Sequence, residues 1–348
     1  MKEKIMARGN IGEFFLALKD EYDIYAPVRS SGNHVNFKKV SSADEMTLDY
    51  LNTTIPPKEI WFPRVETLFE YEIHGQDIKV MPPRVSNERE TIIIGIRPCD
   101  AASFRLLRKF FDYGTFKDDL FKKHEEKIAL IGLKCNEPKK TCFCTSVNGS
   151  PHKKEDFDVA LTDIADKFVV EAITKKGENI LQKLSFLKDA SGADLEKAKQ
   201  SAIKAEQAIT AKFDVNKAAN IVNDNFYNAL WEEISTTCLG CGSCSFLCPT
   251  CHCFDVVDEN DYANHRGRRI RTWDTCQSTL FTLHTSGHNP RPSQKERCRQ
   301  RIAHKFCYYP NNYGVIGCVG CGRCIIDCPV NNDVRDIIQK INKIKTTQ

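Results

Sequence analysis

Seventeen of the 348 residues are cysteines, and eight of these cysteines form two copies of one pattern. The copies are Cys238, Cys241, Cys244 and Cys248, which precede Pro249, and Cys318, Cys321, Cys324 and Cys328, which precede Pro329. Both copies read C-x2-C-x2-C-x3-C-P. This pattern binds 4Fe–4S clusters, and in two-cluster proteins its fourth cysteine binds the other cluster.

The doubled pattern therefore predicts two clusters that exchange one ligand. Cluster 1 is expected to bind Cys238, Cys241, Cys244 and Cys328, and cluster 2 is expected to bind Cys318, Cys321, Cys324 and Cys248. Each pattern also contains two glycines, which are Gly240 and Gly242 in the first copy and Gly320 and Gly322 in the second. Because glycine has no side chain, the backbone can turn tightly there and offer N–H groups to the sulfurs.

Four further cysteines occur in the first 237 residues, and they follow a recognisable strand pattern. Residues 91–96 and 127–133 are continuous apolar runs typical of buried strands, with a predicted helix over 101–111 between them. Strand, helix and strand imply a parallel pair with a right-handed crossover. Cys99 and Cys135 follow the two strands directly, at the edge of the sheet where ligands usually bind.

Cys142 and Cys144 lie in a loop shortly after the second strand, so all four cysteines are expected to converge. One interpretation is a third iron–sulfur cluster, or another thiolate metal site, formed by Cys99, Cys135, Cys142 and Cys144. The other is a set of buried, hydrogen-bonded thiols. Asp100 is either an alternate oxygen ligand beside Cys99 or an N-cap at the helix start.

The two patterns are separated by an insertion, residues 251–317, that contains more thiols. Cys251, Cys253 and Cys276, with His252 as a candidate fourth ligand, form a weaker candidate for another metal site. Cys298 and Cys307 have no comparable spacing, and we interpret them as cysteines without a ligand role.

The same insertion is rich in basic residues. These are Arg266, Arg268, Arg269, Arg271, Arg291, Lys295, Arg297, Arg299, Arg301 and Lys305. Cations near a cluster raise its reduction potential and attract an acidic partner, which is the interpretation we favour. The alternatives are a solvated face and a nucleic-acid surface.

The overall pattern predicts an α+β protein. An N-terminal α/β domain, residues 1–173, would carry four cysteines. The predicted strands at 157–162 and 167–172 belong to this domain. A helical or linker region, 174–235, contains predicted helices over 194–212 and 224–233. The remaining residues, 236–348, form a helical ferredoxin-like domain with two 4Fe–4S clusters, and a final amphipathic helix over 334–341 is expected to cover it.

Composition narrows the class of protein. Hydrophobic residues make up 41% and charged residues 28%, which are ordinary values for a soluble globular protein. The first residues lack the apolar core of a signal peptide, and no apolar run approaches the roughly 20 residues that span a bilayer. We therefore expect a cytoplasmic, metal-rich protein from an anaerobic cell. The net charge of +4 is too small to indicate nucleic acid.

Several short motifs, in order along the chain, resemble a known family. They are Arg-Pro-Cys-Asp at 97–100, Cys-Phe-Cys at 142–144, the cysteine-rich stretch at 238–253, Arg-Thr-Trp-Asp-Thr-Cys at 271–276, Gly-His-Asn-Pro-Arg at 287–291, His-Lys-Phe at 304–306 and the second pattern at 318–324. Together they resemble the dicluster iron–sulfur subunit family, which includes the A subunit of anaerobic sulfite reductase and the beta subunit of the sulfhydrogenases. The resemblance runs from about Trp61 to Pro329, and residues 174–237 match no part of it.

The resemblance implies an electron-transfer subunit of a multi-subunit oxidoreductase. Such a subunit relays electrons between a partner that binds flavin and NAD(P) and a catalytic subunit of the sulfite reductase or hydrogenase type. The chain contains neither G-x-G-x-x-G nor a Walker A motif, so we expect flavin and NAD(P) to bind the partner. The alternatives are a reductase that acts at an N-terminal metal site of this chain, and a zinc-bearing nucleic-acid-binding protein, because C-x2-C pairs also bind zinc.

Overall fold

The computed structural model describes residues 2–83 and 89–344, which form two β-sheets and a helical region. The strands are β1 (Lys4–Ala7), β2 (Tyr22–Arg29), β3 (Val35–Lys39), β4 (Val65–His74), β5 (Asp77–Met81), β6 (Glu90–Ile96), β7 (Ile128–Leu133), β8 (Val159–Asp163), β9 (Lys167–Ala172), β10 (Lys188–Asp189), β11 (Phe254–Asp261) and β12 (Arg266–Trp273). The α-helices are α1 (Ile11–Lys19), α2 (Pro98–Phe111), α3 (Asp119–Lys127), α4 (Lys175–Gln182), α5 (Gly192–Gln207), α6 (Ala218–Asp224), α7 (Leu230–Ser235), α8 (Ser243–Phe246), α9 (Gln294–Ala303), α10 (Tyr309–Tyr313), α11 (Arg323–Ile326) and α12 (Val334–Asn342). Short 3-10 helices occur at Arg8–Asn10, Ser31–Asn33, Ala43–Glu45, Pro57–Ile60, Cys144–Val147 and Tyr262–Asn264, and a π-helix spans His304–Tyr308.

The larger sheet has the order β10-β1-β9-β8-β7-β6-β2-β3. Its central strands, β2, β6, β7 and β8, are parallel neighbours, and the outer strands pair antiparallel. The predicted parallel pair is therefore present as β6 and β7, with α2 and α3 in the connection between them. Helix α2 begins three residues earlier than predicted, so Cys99 and Asp100 lie in its first turn and Arg97 is the N-cap. The N-cap interpretation of Asp100 is wrong for this reason.

Both faces of the large sheet are covered, which explains the continuous apolar runs of its central strands. Ile92 and Ile94 point to a core that includes Phe14 and Leu18 of α1 and Leu181 of α4. On the opposite face, Ile93 and Ile96 pack with Phe104, Leu107, Phe111, Phe121 and Trp61. Side chains along a strand alternate between faces, so a single strand contributes to both cores. A register shift between Ile94 and Ile96 interrupts this alternation, which is why Ile96 lies on the same face as Ile93.

The second sheet has the order β11-β12-β4-β5 and joins distant parts of the chain. The β11–β12 hairpin belongs to the insertion between the two cysteine patterns, yet β12 pairs antiparallel with β4 from the N-terminal part. The insertion therefore packs against the N-terminal part of the chain as well as against the cysteine loops.

The region predicted as a helical linker divides into two parts. Residues 175–207 pack on the large sheet through α4, β10 and α5. The helix predicted over 224–233 is wrong for residues 225–229, which are not helical: α6 ends at Asp224 and α7 begins at Leu230. Asn225 follows the last residue of α6. The backbone carbonyl oxygen of Asn225 accepts a hydrogen bond from the Trp231 indole N–H, and the side-chain amide of Asn225 donates a hydrogen bond to Ile221 O.

A helical core lies behind the cysteine loops. It joins α6, α7, α9 and α12, with Trp231, Ile302, Phe306 and Ile338 almost completely buried. Helix α12 begins at the Asp333 N-cap and buries Val334, Ile337, Ile338 and Ile341 on one face, in agreement with the predicted amphipathic helix.

Candidate metal centres

The two cysteine patterns adopt the same local conformation. In each copy both glycines have positive φ, +67° and +77° in the first and +66° and +74° in the second. The second glycine of each pair, Gly242 and Gly322, is the left-handed N-cap of a short helix, α8 or α11. These φ values favour glycine because a side chain would be strained there. The repeated sequence thus produces a repeated loop.

The first cavity is bordered by the four cysteines predicted to bind cluster 1. Cys238, Cys241 and Cys244 come from the first loop and Cys328 from the second, around a space of about 50 Å³. The Gln294 side-chain amide donates a hydrogen bond to Cys238 Sγ at 3.2 Å, and the Asn332 backbone N–H donates to Cys328 Sγ at 3.2 Å.

The second cavity is bordered by the four cysteines predicted to bind cluster 2. Cys318, Cys321 and Cys324 come from the second loop and Cys248 from the first, around a space of about 20 Å³. Burial raises the pKa of Cys318 to about 12 and that of Cys324 to about 11. These thiols therefore keep their protons unless a metal displaces them, so metal binding here releases protons.

Lys305 supplies a buried positive charge beside the second cavity. Its Nζ donates hydrogen bonds to Cys248 Sγ at 3.2 Å, Thr250 Oγ1 at 2.8 Å and Gly317 O at 3.1 Å. Burial lowers the pKa of Lys305, but the neighbouring Cys248 and Cys251 sulfurs outweigh burial and raise this pKa well above its usual value. The ammonium group therefore stays charged. Lys305 lies in the π-helix His304–Tyr308, a local feature that often marks functional sites.

The N-terminal cysteines meet at a third and larger cavity. Cys99, Cys135, Cys142 and Cys144 all border a space of about 320 Å³. Burial is the main cause that raises the pKa of all four thiols, to about 12 for Cys142 and Cys144. The strand ends, the first turn of α2 and the Cys-Phe-Cys loop thus bring together residues that are up to 45 positions apart (144 − 99).

The third cavity shares a wall with the second. Cys318 and Cys321 border both cavities. The Cys142 thiol donates to Cys321 O at 3.7 Å, and the Phe143 N–H donates to Gly320 O at 2.9 Å. A Cβ added at Gly320 would lie 2.5 Å from Cys144 Cα, so only glycine permits this close approach. The N-terminal site and the second cysteine loop are therefore in direct contact.

Three buried polar atoms near the N-terminal cysteines have no hydrogen-bond partner among the described residues. They are Arg97 Nε, Thr141 Oγ1 and Thr145 Oγ1. Arg97 borders the third cavity, and the two threonines flank Cys142 and Cys144. Buried donors of this kind are normally satisfied, and cluster sulfur atoms accept hydrogen bonds. The residues present therefore fit an iron–sulfur cluster in this cavity.

Asp100 is held by an ion pair. Both carboxylate oxygens accept hydrogen bonds from Arg323, at 2.7 and 2.8 Å, and both side chains are almost completely buried. Arg323 also donates to Asn52 and Thr53. The carboxylate thus faces a cation and is not directed at the four thiols.

The weaker candidate residues of the insertion are divided between two places. Cys251 lies against Cys248, whereas Cys253 donates a hydrogen bond to the Cys276 sulfur. His252 packs against Phe110, with 3.9 Å between ring centroids, and its Nδ1 is 3.1 Å from Thr250 O. Within the described residues, no group of three or more His, Cys, Asp or Glu side chains is arranged to hold a single metal ion.

The remaining cysteines also lie in different environments. Cys298 borders the first cavity and hydrogen-bonds Cys238. Cys307 is fully buried in the helical core, where its sulfur accepts a 3.8 Å hydrogen bond from Asn311.

The basic residues of the insertion do not form one open surface. On the hairpin, Arg266, Arg268 and Arg269 pair with acidic residues of β11 and its turn. Arg271 is buried between Glu66 and Asp118. These pairs neutralise much of the positive charge, which argues against nucleic-acid binding.

Lys58 is a residue near the site that sequence reasoning missed. Its Nζ donates to Cys251 O at 2.9 Å and lies 4.1 Å from the Trp273 ring centroid. A lone lysine in a proline-rich stretch, 193 positions from its partner, carries no local signal of this contact.

Comparison with known proteins agrees with this description. Residues 237–332 match the family of the 4Fe-4S dicluster domain. The chain is 29% identical over 336 residues to sulfhydrogenase 2 subunit beta from Pyrococcus furiosus, and the alignment covers 95% of this chain and 96% of that protein. No solved structure matches the chain. In the part of the chain that the structure describes, the helices lack either the length or the apolar character that crossing a membrane requires.

Proposed function

Because this chain is an iron–sulfur subunit related to the hydrogenase beta subunits, we propose that it is the electron-transfer subunit of a multi-subunit, cytoplasmic oxidoreductase. It would relay electrons between a partner that binds flavin and NAD(P) and a catalytic subunit. A hydrogenase-type catalytic subunit is the first candidate, because the similar protein from Pyrococcus furiosus is a sulfhydrogenase subunit. A catalytic subunit of the sulfite reductase type is the second candidate. One observation carries the proposal: each of two adjacent cavities is bordered by three cysteines of one loop and the fourth cysteine of the other.

The proposed ligands follow from these borders. Cluster 1 takes Cys238, Cys241, Cys244 and Cys328, and cluster 2 takes Cys318, Cys321, Cys324 and Cys248, in a ferredoxin-like arrangement. When bound, such clusters accept and release single electrons. The chain's own residues bury the thiols, donate hydrogen bonds to them and place positive charge beside them. Cys241 is exposed, so the first loop brings its site to the protein surface.

We also propose a third iron–sulfur cluster, bound by Cys99, Cys135, Cys142 and Cys144. A position next to cluster 2 is supported by Cys318 and Cys321, which border both this cavity and the second cavity, whereas in the described part of the chain this cavity shares no bordering residue with the first. The three sites would then form a row with cluster 2 in the middle. Because the Asp100 carboxylate is paired with Arg323, the four cysteines without Asp100 are the favoured ligand set for the third cluster.

Metal analysis with EPR spectroscopy of anaerobically purified protein tests the proposal. Two clusters require about eight irons per chain and three clusters about twelve, with matching sulfide. Fewer than about eight irons would refute the two-cluster assignment. A colourless protein that contains zinc would support the zinc-bearing alternative.

A catalytic role of the chain alone is a separate alternative, since the third cavity is the largest of the three. It predicts substrate reduction by the isolated chain with an artificial electron donor. The electron-transfer proposal predicts that turnover requires the other subunits, which should copurify with this chain under anaerobic conditions.

A further inference from the structure

Arg301 lies between the two cavities formed by the cysteine loops. It borders the first cavity, with Cys238, Cys244 and Cys328, and it also borders the second, with Cys248 and Cys324. Its Nη2 donates a 3.4 Å hydrogen bond to Cys244 O. A single side chain thus reaches both candidate cluster sites.

Part of the Arg301 guanidinium has no partner among the described residues. Its Nε is buried and makes no hydrogen bond there, and no carboxylate within residues 2–83 and 89–344 pairs with Arg301. Arg323 is different, because Asp100 neutralises it. Arg301 as a whole is half-buried, and a buried, unsatisfied Nε on an unneutralised guanidinium is costly unless negative charge is close; a 4Fe–4S cluster with four thiolates supplies that charge.

Both sites are close enough to supply this charge, because Arg301 borders the first cavity together with Cys244 and the second cavity together with Cys324. Lys305, one helical turn further on, borders only the second cavity. Arg299, on the same helix, points elsewhere and stacks on Phe226 with 3.6 Å to the ring centroid.

We propose that Arg301 is a shared positioning residue of clusters 1 and 2, donating hydrogen bonds to both clusters and stabilising the added electron on either one. The inference rests on the proposed function, because it requires both clusters. A positive charge near a cluster favours its reduced state, so one guanidinium between two clusters raises both reduction potentials together. Its attraction for an electron on each cluster also offsets part of the repulsion between two electrons held on adjacent clusters.

EPR-monitored redox titration of the full-length, anaerobically purified protein tests this inference. Arg301→Gln should disfavour reduction of both clusters by about tenfold, which is about 59 mV for a one-electron couple. Lys305→Gln should lower mainly the potential of cluster 2. Arg299→Gln removes the same charge from the same helix away from the clusters, and both potentials should stay at their wild-type values. Cys241→Ala, which removes a cluster 1 ligand, assigns the two signals.

Arg301→Lys completes the series because it keeps the charge and loses the planar donors. In the Arg301→Lys variant, the reduction potentials of clusters 1 and 2 should each lie between the values of the wild type and of Arg301→Gln. A shift of only one cluster in Arg301→Gln, or no shift beyond that of Arg299→Gln, would overturn the inference. Loss of both clusters in both Arg301 variants would also overturn it, because Arg301 would then be required for assembly. A wild-type protein without two 4Fe–4S clusters would instead refute the proposed function.

Discussion

Arg323 and Asp100 form a buried two-pronged ion pair between residues 223 positions apart. Asp100 stands in the first turn of α2, beside Cys99, and Arg323 stands in the second cysteine loop, between Cys321 and Cys324. The pair therefore fixes the N-terminal site against the cluster 2 site. A bidentate guanidinium–carboxylate contact sets orientation as well as distance.

Asp100→Asn should lower stability strongly while iron content stays close to that of the wild type. The substitution leaves the Arg323 charge buried without its partner, which costs about 3–5 kcal/mol. The unfolding midpoint in denaturant under anaerobic conditions measures the effect. Glu259→Gln, which breaks the exposed pair with Arg268, should cost only about 0–1 kcal/mol. An iron loss in Asp100→Asn equal to that in Cys99→Ser would make Asp100 a ligand.

Cys241→Ala should remove up to about four irons per chain and leave the cluster 2 signal in place. Cys241 borders only the first cavity, so the second ligand set stays complete. Iron analysis and EPR spectra measure both effects. Cys307→Ala is the matched control, because this thiol lies in the helical core and should leave the iron content unchanged. Equal iron loss in the two variants would contradict the assignment.

Gly320→Ala should separate the second cysteine loop from the Cys-Phe-Cys loop. The new methyl group would lie 2.5 Å from Cys144 Cα, and overpacking of this kind costs about 1–3 kcal/mol beyond the strain of a positive φ. Gly114→Ala has the same φ of +66° and nothing within 4 Å of the added Cβ, so it isolates the strain. Thermal unfolding and iron content compare the two variants. Equal effects in both would show that the loops do not depend on this contact.

His152 should make the folded state sensitive to acid. Burial, with Lys134 and Arg97 nearby, lowers the pKa of His152 to about 4, compared with about 6.5 in an unfolded chain. The unfolded chain therefore binds more protons between these values. The contribution of neutral His152 to the free energy of unfolding is therefore fully present above about pH 6.5 and is lost as the pH falls towards 4.

The pH dependence of the unfolding free energy is set by how many more protons the unfolded chain binds than the folded chain. His152→Gln should reduce this difference by up to about one proton. The glutamine amide can still donate to Asn136, whose oxygen is 3.0 Å from His152 Nε2. Denaturant midpoints at about pH 7 and about pH 5 give the comparison. An unchanged difference between the two pH values would show that other groups cause the acid sensitivity.

The central strands and their connection could be predicted because their signals are local. Strands β6 and β7 are buried on both faces, and such strands are continuous apolar runs in the sequence. The start of α2 was less predictable, since Pro98 suits the first helical position as well as it suits a turn.

Pairings between distant segments could not be predicted. Strand β12 was an unassigned basic segment in the sequence, and its pairing with β4 depends on packing that no local pattern records. Arg271 shows the difficulty: it was one of ten basic residues, and its buried partner Glu66 lies 205 positions away. The sequence shows the positive charge of Arg271, but it does not show that buried carboxylates neutralise this charge.

The candidate site divides in the same way. Spacing within each cysteine pattern indicates which thiols share a loop, because three thiolates two residues apart must lie close together. The convergence of Cys99 with Cys142 depends instead on how the sheet edge meets the second loop. The positions of Lys58 and Lys305 beside the thiols likewise follow from tertiary packing.

The exchange of the fourth cysteine has a consequence for assembly. Under the proposed ligand sets, each cluster is a cross-link that closes a large loop of chain, from Cys244 to Cys328 for one and from Cys248 to Cys318 for the other. Neither ligand set is complete until the insertion, whose hairpin pairs with β4, has brought the second pattern back to the first. Correct folding of the insertion would therefore be a checkpoint for iron incorporation, and the completed clusters would in turn limit the freedom of the unfolded chain.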